Sequence, residues 1–124
     1  MFGFKIANLK NRIYKKLYFK RQVYRINKEK KNVECIGVGI IGLGKWGKQY
    51  ISLINSHIGY QIVAIYDNDL ELCNEIANQN SLKIMQPEEM YKNSDIDTLF
   101  ILVPNHFHYE YVSQAIKCKK KYFC

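Results

Sequence analysis

The chain has 124 residues, enough for one modest domain. Its composition, 48% hydrophobic and 24% charged, has an ordinary globular balance rather than a disordered one. The net charge of +8 belongs to one end: residues 1–34 hold eleven Lys/Arg against Glu29 and Glu34, whereas 35–124 hold eight against nine Asp/Glu, so the pI gives no ground for reading the whole chain as a nucleic-acid binder.

Residues 1–34 form a basic arm. Within "FKIANLKNRIYKKLYFKRQVYRINKEK" (4–30), Ile6, Leu9, Ile13, Leu17 and Tyr24 fall near one helical stripe, with Tyr14 and Tyr18 beside it. A cationic amphipathic helix is expected there. It could dock on its own enzyme or subunit, or lie on an anionic membrane surface. Nucleic acid is disfavoured as its partner, because no recognition motif accompanies the charge. No run approaches the ~18 apolar residues of a membrane span, and no continuous apolar stretch follows the basic start as in a secretory signal. A cytoplasmic protein is expected, peripheral at the inner membrane surface if the arm meets lipid. Cys35, Cys73, Cys118 and Cys124 show no C-x-x-C pairing and no metal-ligand spacing with histidine, so they read as incidental thiols and no metal site is expected.

The second unit is expected over 35–124. "VECIGVGII" (33–41) is β-branched and nearly uncharged, the look of a strand buried on both faces. Glycines follow at once, then a helical repeat over 45–57 through Trp46, Tyr50, Leu53, Ile54 and His57, stopped near Gly59. "QIVAIYD" (61–67) reads as a second strand, and 69–79 as a helix with Asp69 at its N-cap. "SLKIM" (81–85) is a candidate third strand, and Pro87 opens a short helix. "IDTLFILVP" (96–104) carries the strongest strand signal, 108–118 reads as a helix, and "KYFC" (121–124) opens one more strand. Buried strands alternating with helices predict an α/β fold, a doubly wound parallel sheet of Rossmann type, with ligands at the carboxyl ends of its strands.

The G-x-G-x-x-G spacing of Gly42-Leu43-Gly44-Lys45-Trp46-Gly47 lies between a predicted strand and a predicted helix. Gly42 would permit the tight turn, Gly44 would let backbone approach a pyrophosphate, and Gly47 would let the helix pack against the strands. Helix N-terminal N–H groups would then hold the phosphates. Asp67, twenty residues beyond Gly47, stands where a carboxylate accepts hydrogen bonds from the adenosine ribose. That carboxylate repels a 2′-phosphate, so the residues favour NAD, with NADP the second choice. A phosphate-free turn and a methyltransferase-like site are the competing readings of the same motif.

Taken together, "GIIGLGKWG" (39–47), "VAIYD" (63–67), "IDTLFILVPNHFHYEYVSQAI" (96–116) and "KKKYFC" (119–124) resemble the N-terminal nucleotide-binding domain of the Gfo/Idh/MocA oxidoreductases of sugars and polyols. The resemblance implies that the segment after the fourth strand borders the nicotinamide half of the cofactor, with Val103, Pro104, Asn105 and His108 beside it. Asn105 as a turn residue and His108 as a helix-start residue bonded to backbone are the alternatives. The family usually carries glycine where this chain has Lys119, which predicts a strained helix exit costing about 1 kcal/mol. In the family the last strand runs into a Glu-Lys-Pro motif whose lysine assists proton and hydride transfer. Residues 1–124 end at Cys124, before that motif, so against the family pattern the C-terminal substrate domain is expected to be absent from them. The resemblance therefore implies an oxidoreductase that acts by hydride transfer on a hydroxyl or carbonyl of a sugar or sugar nucleotide. Its nucleotide-binding part here is incomplete at the C-terminus, carries no catalytic residue of its own, and reaches a sugar-type substrate only with the missing domain. A non-catalytic nucleotide-binding or partner-regulating module is the alternative. The open edge and apolar end of "YFC" predict poor solubility or dependence on a partner.

Overall fold

The computed structural model describes residues 34–124 together with Lys15, Leu17, Tyr18, Arg21, Arg25 and Ile26 of the arm, and those six are helical. The rest of the expected amphipathic helix over 4–30 lies outside the described residues. The body runs β1 (Ile36–Ile41), α1 (Lys45–Asn55), β2 (Tyr60–Tyr66), α2 (Leu70–Asn80), α3 (Pro87–Lys92), β3 (Thr98–Ile101), α4 (Asn105–Lys117) and β4 (Lys121–Phe123). All strand pairs are parallel, in the order β2-β1-β3-β4. One register shift between Val38 and Gly39 lets Val63 of β2 bulge.

The period-two pattern of β1 divides the core. Val38 and Ile40 point to one face, where they meet Ile51 and Ile54 of α1 and Cys73 and Ile76 of α2. Ile41 points to the other, with Met90 of α3 and Ala115 of α4. Helices therefore cover both faces, which is why β1 can be apolar throughout. The chain leaves β1 for β2 across one face and reaches β3 across the other, so a crevice opens where the order reverses.

Three expectations need correction. "SLKIM" does not form a third strand: only Ile84 bridges, to Ile65, through Ile65 N–H to Lys83 O (2.9 Å) and Met85 N–H to Ile65 O (3.2 Å). Ser81, its first residue, is left-handed (φ 53°) at the end of α2, and Pro87 begins α3, so the extended stretch between them is too short to propagate. The last helix starts at Asn105, not His108, because Pro104 is the extended residue before it and its carbonyl already accepts from Phe107 N–H (2.9 Å). Strand β3 is confined to Thr98–Ile101, well inside the apolar run.

Lys119 stands at φ 55°, the left-handed exit of α4 expected from the resemblance. Its geometry closes with Lys120 N–H on Ala115 O (2.9 Å) and Lys119 N–H on Ile116 O (3.0 Å).

Candidate dinucleotide site

The glycine stretch connects β1 to α1 as expected. Gly42 has φ +101°, and a Cβ there would fall 2.7 Å from the Leu102 carbonyl group, so only glycine lets β1 turn this close to the end of β3. A Cβ on Gly47 would fall 2.3 Å from Gly42 O, which is what brings the first turn of α1 against the loop. Gly44 differs from both: a Cβ on it would meet nothing within 4 Å. It caps α1 with no side-chain hydrogen bond and lines the open cleft, so bare backbone faces free space there.

The first intrahelical bond of α1 is Lys48 N–H to Gly44 O (3.1 Å). The N–H groups of Lys45, Trp46 and Gly47 therefore precede the ladder and carry the positive end of the helix dipole. No acidic residue sits in that turn, and the Lys45 ammonium lies 6.0 Å from the Trp46 ring centroid. The loop is tied to β2 twice: Gly42 N–H donates to Tyr66 O (2.9 Å) and Leu43 N–H to Asp67 Oδ2 (2.7 Å). The other carboxylate oxygen, Oδ1, accepts from Asp69 N–H (2.8 Å). Asp67 is thus held by both oxygens at the cleft edge, beside the glycine loop.

The cleft has a volume of about 760 Å³ and lies at the carboxyl ends of β1, β2 and β3. It brings together Gly42, Gly44, Lys45, Trp46, Asp67, Val103, Pro104 and Asn105 from the residues singled out in the sequence. Three others stand behind it. Leu43 is fully buried, so it offers main chain and its side chain joins the core. Gly47 is buried under the loop. His108 does not line the cleft: its Nε2 lies 2.7 Å from Val103 O, and since a carbonyl only accepts, Nε2 carries the proton. That is the backbone-bonded alternative, and it makes His108 a brace for the loop after β3.

The sequence reading missed a wall of the cleft made by Tyr66, Asn68 and Tyr111. The Tyr66 hydroxyl donates to Asn68 Oδ1 (3.1 Å). Burial raises the Tyr111 phenol above its ordinary pKa, helped by the neighbouring Tyr66, while a hydrogen bond with the Asn68 side chain opposes the rise. The available signal was spacing: Tyr111 lies one helical turn beyond Phe107, so both fall on the cleft side of α4. Behind Asp67, burial raises the Cys73 thiol, which leaves it a core residue. Among the described residues no cluster of His, Cys, Asp or Glu could hold a metal, and no helix is long and apolar enough to cross a membrane.

The arrangement offers main-chain donors to an anion, a fixed carboxylate to a diol, and a partly apolar wall. A dinucleotide needs those features, and the open space at Gly44 is where a side chain would obstruct its diphosphate.

Comparison with known proteins agrees with this geometry. The family model for the Gfo/Idh/MocA proteins, described as an oxidoreductase family with an NAD-binding Rossmann fold, matches residues 36–124. A 2,7-anhydro-N-acetylneuraminate hydratase of Escherichia coli is 29% identical over 93 residues, covering 72% of this chain and 24% of the relative. An uncharacterized oxidoreductase of Synechocystis is 33% identical over 85 residues, covering 67% of this chain and 23% of the relative. Among solved structures, myo-inositol dehydrogenase from Lactobacillus casei in complex with NAD(H) and myo-inositol superposes with a TM-score of 0.65 at 27% identity, covering 72% of this chain and 27% of that one. The chain thus spans about a quarter of the length of the curated relatives it matches. On this match the chain belongs to the Gfo/Idh/MocA oxidoreductase family, and residues 36–124 are its NAD-binding Rossmann domain.

Proposed function

We propose that the cleft binds NAD in preference to NADP, and that the chain is the nucleotide-holding part of an oxidoreductase acting on a sugar or sugar-nucleotide hydroxyl or carbonyl. The observation that carries the reading is the bond from Leu43 N–H to Asp67 Oδ2, which holds the ribose-binding carboxylate against the phosphate-binding loop. In this reading the N–H groups at the start of α1 hold the diphosphate, and Asp67 accepts from the ribose diol and repels a 2′-phosphate. Val103, Pro104 and Asn105 flank the nicotinamide half. His108 keeps Val103 in place. Bound NAD supplies a hydride acceptor, and the residues described here orient it.

The proton of an alcohol oxidation needs a base, and no histidine lines the cleft among the described residues. The proposal therefore includes that residues 1–124 alone turn over no substrate and that the base and substrate wall lie in further sequence. The relatives' own names, a dehydrogenase and a hydratase, differ in net reaction, in keeping with chemistry decided outside the shared quarter. A cytoplasmic setting suits this reading. A non-catalytic nucleotide-binding module is the second reading, favoured by the absence of a histidine from the cleft lining among the described residues.

Trp46, the only tryptophan, stands on the cleft and reports binding by fluorescence. Titration with NAD is expected to quench it saturably, and Gly44→Val to abolish the response while leaving the fold intact. A wild-type chain that gives no saturable response would sink the proposal.

A further inference from the structure

The wall formed by Tyr66, Asn68 and Tyr111 carries a chemistry that the glycine loop and Asp67 do not share. Both phenol rings are half-buried, packed against the core cluster of Ile41, Met90 and Ala115, and both still line the cleft. Tyr111 is anchored from below, where its carbonyl accepts from the Tyr91 hydroxyl at 3.4 Å. The Asn68 side chain joins the two phenols. Its Oδ1 accepts from the Tyr66 hydroxyl at 3.1 Å, so its N–H₂ supplies the hydrogen bond to the Tyr111 oxygen. A phenol oxygen that accepts in this way keeps its own O–H for another partner, and burial holds that proton in place. Asp67 is close enough for its charge to act on the same phenol. The wall therefore offers an aromatic surface and a neutral donor next to the carboxylate.

The parts of a dinucleotide make different demands. Its diphosphate takes N–H groups and its ribose diol takes an acceptor, which the start of α1 and Asp67 supply. Adenine has apolar faces that stack on aromatic rings, and ring-nitrogen acceptors along its edge. We propose that Tyr111 reads the adenine of the bound nucleotide through its hydroxyl, and that Tyr66 acts through Asn68 as the positioning residue that aims it. The inference rests on the reading of the cleft as an NAD site. It sets the base beside the carboxylate that holds its own ribose, as the covalent link between the two requires. Leu72 adds apolar surface to the lining, and Lys45 is the only cation there among the described residues, so the base meets neutral groups on this wall.

The test follows Trp46 fluorescence of the full chain during titration with NAD, ADP-ribose and nicotinamide mononucleotide. Tyr111→Phe keeps the ring and removes the hydroxyl. It is expected to weaken NAD and ADP-ribose by the same factor, about three- to tenfold, and to leave nicotinamide mononucleotide, which has no adenine, unchanged. Tyr66→Phe is expected to weaken NAD about two- to threefold. The double variant should bind no more weakly than Tyr111→Phe, because the relay ends at that hydroxyl. Wild-type NAD affinity in Tyr111→Phe would overturn the proposal while leaving the cleft a nucleotide site. A loss for nicotinamide mononucleotide as large as that for NAD would overturn it in favour of a structural role, and losses that multiply in the double variant would overturn the relay. A wild-type chain that binds none of the three would sink the reading of the cleft itself, and this inference with it.

Discussion

The amide of Leu43 donates to Asp67 Oδ2 at 2.7 Å, so the phosphate loop after β1 and the carboxylate after β2 form one unit. The same side chain takes Asp69 N–H on its other oxygen, which makes Asp67 a structural residue of the loop as well as a candidate ribose ligand. Asp67→Asn retains one acceptor but turns an amide N–H₂ toward the other donor. We expect a loss of about 1–2 kcal/mol in urea unfolding. The ratio of NAD to NADP affinity should also fall by at least tenfold, read by Trp46 titration with each nucleotide.

The two glycines at the start of α1 should separate folding from binding. Gly44→Ala meets no atom within 4 Å and is expected to leave stability within about 0.5 kcal/mol while weakening NAD binding. Gly47→Ala drives a methyl into Gly42 O, a backbone atom that cannot step aside, and should cost about 1–3 kcal/mol. Thermal melts of the two variants beside NAD titrations check the contrast, and equal melting temperatures would contradict it.

His108 acts through Val103 O and stands behind the cleft. His108→Ala is expected to cost about 1 kcal/mol and to weaken NAD binding a few-fold, with His108→Gln recovering most of both through its own N–H donor. A His108→Gln variant that binds NAD no better than His108→Ala would instead mean that the imidazole meets the nucleotide directly.

Much of this was legible in the sequence because the signals were of the kind sterics enforces. Ile40 and Ile41 had to be apolar on opposite faces, and Gly42 and Gly47 leave no room for a Cβ. The apolar residues of "SLKIM" misled because the left-handed Ser81 and the helix that opens at Pro87 leave room for only two hydrogen bonds to β2 between them. The start of α4 was placed late because its first turn, Asn105 to Phe107, carries no apolar period, and Pro104 marked the boundary instead. Tyr111 and Asn68 escaped notice because the cleft wall is made by packing between α4 and the end of β2, which no local motif records.

The left-handed exit at Lys119 was expected from the family's glycine and is present, at φ 55°. Lys119→Gly should therefore stabilise the chain by about 1 kcal/mol, seen as a higher urea midpoint with an unchanged slope. A destabilised variant would show that the lysine side chain compensates for its backbone.

Tyr91 is buried beneath α4, its hydroxyl donating to Tyr111 O at 3.4 Å. Burial, with smaller contributions from Tyr111, Glu88, Glu110 and Cys118, pushes its phenol up to about 12. The folded chain then holds this proton where the unfolded chain releases it. The contribution of Tyr91 to stability is full below pH ~10 and is lost progressively as pH rises toward ~12. Tyr91→Phe is expected to flatten the fall in unfolding free energy over that window.

The contact between Gly42 and the Leu102 carbonyl has a consequence for biogenesis. The glycine motif is made early on the ribosome, yet the surface it leans on lies beyond β3, and Gly37 meets Asp97 across 60 positions of sequence. Nucleotide capture is therefore assembled late: a nascent chain that has not yet emitted Leu102 to Asn105 carries every glycine and the aspartate but has only half a pocket.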